Sequence, residues 1–117
     1  MSAASRKGYA GEKPVLDLLV ALQMASVYRP RAGTHRDVGD LGGIPIVVSV
    51  KNHRDLRLAE WVDDLEEMVA RTAFGTGIVW HKRLRQGNPR RWYVTTSGGL
   101  FLPLLGAWTE KWEREHG

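Results

Sequence analysis

The chain predicts a small α/β domain in which helices pack on a mixed β-sheet, and three features of its 117 residues lead there. Val15, Leu18, Leu19 and Leu22 recur at helical spacing near the start. "IPIVVSV", residues 44–50, is β-branched and almost continuously apolar, as suits a strand covered on both faces. After it, one long amphipathic helical pattern is followed by two short strand patterns separated by a loop rich in basic residues, Gly and Pro.

Taken in order, the first helix is expected from Tyr9 to about Ala25, with Pro14 tolerated in its first turn. "SVYRPRA" reads as a short strand ended by Pro30, and "AGTHRDVGDLGG" as a bend built from turn formers. The buried strand follows. "DLRLAEWVDDLEEMVARTAF" then reads as a helix whose apolar face is Leu58, Trp61, Val62, Leu65, Met68 and Val69. "GTGIVWHK" and "RWYVTT" are strands joined by "RLRQGNPR". The tail from Gly99 to His116 has helical content that Pro103 and Gly106 are expected to break. With no repeat, low-complexity tract or linker, residues 1–117 read as one domain with one core.

Composition narrows the function. The longest apolar stretch is interrupted by Asp17, so no membrane span is expected. The first residues lack a signal-peptide core, and the absence of cysteine fits a cytoplasmic location. It also removes any disulfide framework or thiolate metal site. His35, His53 and His81 lack zinc-ligand spacing. The formal charge of +4 hides a strong asymmetry. Between Asp55 and Glu67 there are six acids and one base, a local charge of about −5, so the remainder carries about +9. Arg29, Arg31 and Arg36 form one basic cluster; Lys82, Arg83 and Arg85, with Arg90 and Arg91, form another. Clusters of this kind neutralise phosphates, as expected of a nucleic-acid binder. Trp61, Trp80 and Trp92 lie in patterned segments and are expected in the core. Trp108 and Trp112 are expected to pack on the domain or on a second subunit.

The candidate site lies in "GDLGGIPIVVSVKN", residues 39–52. On a strand, Val47, Ser49 and Lys51 share one face, while Val48 and Val50 share the other. Asp40 stands on the bend before the strand, and Glu12 lies on the helix flank that carries Val15 and Leu19. If that flank packs over the strand, Glu12 approaches Asp40 and Lys51. Two carboxylates and a lysine suit phosphodiester hydrolysis. The carboxylates hold Mg2+, or Mn2+ in its place, which polarises a phosphoryl oxygen and acidifies a bound water. The lysine orients that water or stabilises developing charge.

The same residues, in "RKGYAGEKPVLDLL", "RAGTHRDVGDLGGIPIVVSVKNH", "GIVWHKR" and "RWYVT", resemble the PD-(D/E)XK nuclease superfamily, in particular the small Holliday junction resolvases of archaea and phages. The resemblance implies a restriction-endonuclease-like αβββαβ core and a metal-dependent, structure-selective DNA endonuclease acting on branched or four-way junctions. It implies a homodimer with two sites, working in the bacterial host cytoplasm if the protein is phage-encoded. It matches Glu12 to the helix glutamate, Asp40 to the aspartate before the strand, and Lys51 to the lysine of the E-x-K element, with the Val50 backbone carbonyl completing the metal shell. It also places Lys82 and Arg83 beside the site.

Ser49 departs from the pattern, for it stands where the E-x-K acid belongs. A neutral hydroxyl is a poor substitute for a carboxylate as a magnesium ligand, so metal binding and cleavage are expected to weaken. Three accounts are open: an engineered substitution that traps an inactive enzyme, a natural variant in which Glu60, Asp63 or Asp64 has taken over, or a scaffold that binds DNA without cutting. Glu60 is the nearest such acid along the chain.

Overall fold

A computed structural model describes residues 3–22, 28–29 and 39–117. In order these form α1 (Ala3–Ala21), β1 (Val47–Lys51), α2 (Leu58–Ala70), β2 (Gly77–His81), a short 3-10 turn (Pro89–Arg91), β3 (Tyr93–Thr95) and α3 (Gly98–His116). The sheet runs β1-β2-β3, with β1 and β2 parallel and β2 and β3 antiparallel. Helix α2 is the crossover that parallel β1 and β2 require. The chain is therefore mixed α/β, with three helices around a mixed sheet of three strands among the described residues. Most of the expected strand "SVYRPRA", and most of the bend after it, lie outside the described residues.

Each face of β1 packs on a different helix, and alternation along the strand decides which residue goes where. Val48 and Val50 join Val15 and Leu19 of α1, together with Leu41 and Trp92. Val47 and Val79 join Trp61, Leu65 and Val69 of α2. Close packing of α2 on β2 depends on Gly77. A Cβ there would stand 2.8 Å from Val69 Cγ2 and 2.9 Å from Leu65 Cδ1.

Several expectations need correction. Helix α1 starts at Ala3, so Pro14 sits in its interior rather than its first turn. Having no N–H, Pro14 leaves one carbonyl of the preceding turn without its helical partner. On the apolar stripe of α1, Leu22 is exposed while Leu16 packs against the core. Strand β1 starts at Val47 rather than Ile44. Pro45 cannot donate to a ladder, and Ile44 and Ile46 pack on the first cluster from outside the strand. Helix α2 begins at Leu58, which is itself exposed. Helix α3 runs unbroken through Pro103 and Gly106. Pro103 falls in its second turn, near the N-terminal positions where a missing N–H costs least. Of the tryptophans, Trp61 and Trp92 are buried, and Trp80 packs half-buried with its indole N–H donating to the Pro89 carbonyl at 3.1 Å.

Candidate functional site

Asp40 is held against the outer edge of β1 by its own backbone and side chain. Its N–H donates to the Val48 carbonyl at 2.8 Å, and its Oδ2 accepts from the Val50 N–H at 2.6 Å. Gly39 makes this approach possible. Its φ is +88°, and a Cβ there would lie 2.6 Å from the Val48 carbonyl oxygen. Backbone groups alternate in direction along a strand. The Lys51 carbonyl accepts from Lys82 on the β2 side, so the Val50 carbonyl points the opposite way, toward the edge where Asp40 sits.

Glu12 reaches the same place from α1. Its carboxylate is mostly buried, accepts a hydrogen bond from the Arg29 guanidinium, and lies beside Asp40. Burial pushes the Glu12 carboxyl above the usual glutamate range. Asp40 adds to that rise, and the Arg29 hydrogen bond opposes it. Two carboxyl groups and a backbone carbonyl thus converge on one edge of β1. All three are hard oxygen donors of the kind Mg2+ takes, and an ion that keeps most of its waters needs only one or two carboxylates. A fuller cluster is absent: no group of three or more acidic or histidine side chains able to hold a metal occurs among the described residues.

Lys51 and Ser49 point the other way. They share the face of Val47, which packs toward α2, whereas Glu12 comes from the α1 side. Ser49 is 3 % exposed and pairs in register with Val79. Lys51 is half-buried and lines an open depression of about 540 Å3 with His53, Glu60, Trp61 and Asp64. Of the acids considered as replacements, Glu60 and Asp64 therefore share a depression with Lys51, while Asp63 does not line it. Glu60 is exposed and sits 3.6 Å from Arg57.

Lys82, Arg83 and Arg85 line a neighbouring depression of about 720 Å3, together with Arg54, His81 and Tyr93. The Arg83 guanidinium lies 5.6 Å from the Tyr93 ring centre, and Lys82 lies 5.9 Å from that of Trp92. Arg85 adopts a left-handed backbone, with φ 61°. His81 forms the floor. It is 3 % exposed, its Nε2 is 2.8 Å from Thr95 Oγ1, and its Nδ1 is buried without a hydrogen-bond partner among the described residues. Burial lowers its pKa below the usual histidine value.

The basic residues divide accordingly. Arg29 is engaged by Glu12, Arg31 and Arg36 lie outside the described residues, and Lys82, Arg83 and Arg85 share one surface. Arg54 and Tyr93 join that surface without having been singled out in the sequence. The β2–β3 register sets Tyr93 opposite His81, and the turn after Lys51 brings in Arg54. No protein-family model, curated protein or solved structure matches the chain.

Proposed function

We propose that the chain is a metal-dependent, structure-selective DNA endonuclease of the Holliday junction resolvase type, built on a restriction-endonuclease-like core and weakened by Ser49. The observation that carries this reading is the meeting of Glu12 and Asp40 beside the edge-directed Val50 carbonyl. Those three groups would hold Mg2+ or Mn2+, which supplies Lewis-acid polarisation of the phosphoryl oxygen and a more acidic bound water. Arg29 keeps the Glu12 carboxylate in place. Lys51 puts a positive charge at the carboxyl end of β1. Lys82, Arg83, Arg85 and Arg54 bind phosphates and set the register of the DNA. The resemblance further implies a homodimer that presents two such sites to the arms of a junction.

The second reading is a DNA-binding module that no longer cuts. Burial of Ser49 on the α2 face, away from Glu12, favours it. Labelled four-way junctions and linear duplexes, incubated with Mg2+ or Mn2+, separate the two. Nicking at the crossover supports the nuclease, and tight junction binding without nicking supports the module. Absence of salt-sensitive DNA binding would sink both. Ser49→Glu returns a carboxylate to the motif and is expected to raise nicking about tenfold or more, with a lower melting temperature from the buried charge. If the variant stays inert and binds no metal, the site is wrongly assigned.

A further inference from the structure

Helix α3 is 19 residues long, about 28 Å, and none of its residues is buried. Its opening turns are tied to the domain: Leu100 packs on the α2 cluster, and the Leu100 carbonyl accepts from Thr76 Oγ1. About a quarter of a turn around the helix runs a separate apolar stripe of Phe101, Leu105, Trp108 and Trp112, exposed by 47, 46, 60 and 49 %. Leu102, 64 % exposed, flanks it. Isolated exposed apolar residues need no explanation, but five large ones along one helix do.

We propose that this stripe is the face on which two copies of the chain pair, with their α3 helices antiparallel. The stripe steps by four, three and four residues, a spacing that reads the same in both directions. Laid antiparallel on itself, it sets Phe101 against the partner's Trp112 and Leu105 against the partner's Trp108. A two-fold interface needs this self-complementarity. The spacing is also that of the seam between helices that cross at a shallow angle.

The helix dipole, with a small charge asymmetry, favours one direction. The first half of α3 carries no charge, and the second half sets Glu110, Glu113 and Glu115 against Lys111 and Arg114, a net of about −1. Parallel pairing would bring the two negative ends together. Antiparallel pairing moves each beside the positive dipole end of the other helix. Area is sufficient. At roughly 100 Å2 for each of the five side chains, each copy covers about 500 Å2 and the pair about 1,000 Å2, the lower bound of a specific interface. This goes further than the dimer implied by resemblance, because it names the face and the direction of pairing, and it does not depend on DNA cleavage.

Sedimentation equilibrium of the full chain over a wide concentration range tests it. The wild type is expected to approach twice its 13.1 kDa mass. Leu105→Glu, Trp108→Glu and Trp112→Glu should each raise the dissociation midpoint at least about tenfold, as loss of a central aromatic or apolar anchor does. Glu110→Gln, on the far side of the helix, should leave it unchanged. Circular dichroism checks that each variant is folded, and Trp112 is a safe position because it is about half exposed and its ring stacks on His116 of the same helix. Because the chain has no cysteine, a mixture of Leu105→Cys and Trp108→Cys proteins reports direction. Mixed disulfides should form faster than disulfides in either protein alone. A dimer indifferent to all three glutamates overturns the assigned face and leaves a dimer elsewhere. Faster disulfide formation within Leu105→Cys alone overturns the antiparallel arrangement. A wild type that stays at 13.1 kDa throughout overturns the dimer itself, while cleavage is judged separately on junction DNA.

Discussion

Asp40 does two jobs with one carboxylate. Oδ2 accepts from the Val50 N–H and pins the bend to β1, while the group as a whole faces Glu12. Asp40→Asn separates these jobs, since an amide oxygen still accepts the hydrogen bond but brings no charge to a cation. We expect a melting temperature close to wild type and a loss of metal-dependent nicking of about 100-fold, read from the two measurements side by side. His81 makes a different prediction. Burial keeps it neutral in the fold, whereas the unfolded chain takes up a proton below about pH 6.5. The unfolded state therefore binds more protons as pH falls, and the stability contributed above that pH drains away until the folded imidazole also protonates. Thermal melts between neutral and mildly acidic pH should show a steeper decline for wild type than for His81→Phe. Equal slopes would mean that His81 does not titrate differently in the two states.

At the scale of elements, α2 and β2 form one tightly packed layer. Leu65 is fully buried among Val47, Trp61, Val69 and Val79, and its Cδ1 occupies the space that only a glycine at 77 leaves free. Leu65→Ala should cost about 2–5 kcal/mol, measured by denaturant unfolding. A smaller loss would indicate that α2 can settle onto the sheet. This packing was legible in the sequence, because helical periodicity put Trp61, Leu65 and Val69 on one face. The extent of α3 was not. Pro103 and Gly106 are poor helix residues by propensity, yet Ser97 caps the helix start by accepting from the Leu100 N–H, and Pro103 lies close enough to that start to be carried. Local propensity lost to end effects that depend on where the helix begins.

For the whole molecule, charge is sorted by surface. Acids line the outside of α2, while Lys82, Arg83, Arg85 and Arg54 gather around the depression beside β2. No helix among the described residues is long and apolar enough to cross a membrane. If that basic surface carries the DNA, junction affinity should fall linearly with salt on logarithmic axes. A Lys82→Ala/Arg83→Ala double variant should reduce the slope by about two counterions' worth without changing which DNA shape is preferred. A slope unchanged by that variant would move the DNA to another face. The sequence alone determined the α/β class, the central residues of both helix faces next to the sheet (Val15 and Leu19; Trp61, Leu65 and Val69), and the alternation that separates Ser49 and Lys51 from Val48 and Val50, because these follow from periodicity within short windows. Tertiary structure decided which helix covers which face of β1. It set Glu12 beside Asp40 but left Ser49 and Lys51 on the α2 side, turned Arg29 toward Glu12, and left the α3 stripe uncovered. Each of these is a contact between segments far apart in the chain, and no local pattern encodes the direction from which a distant segment arrives.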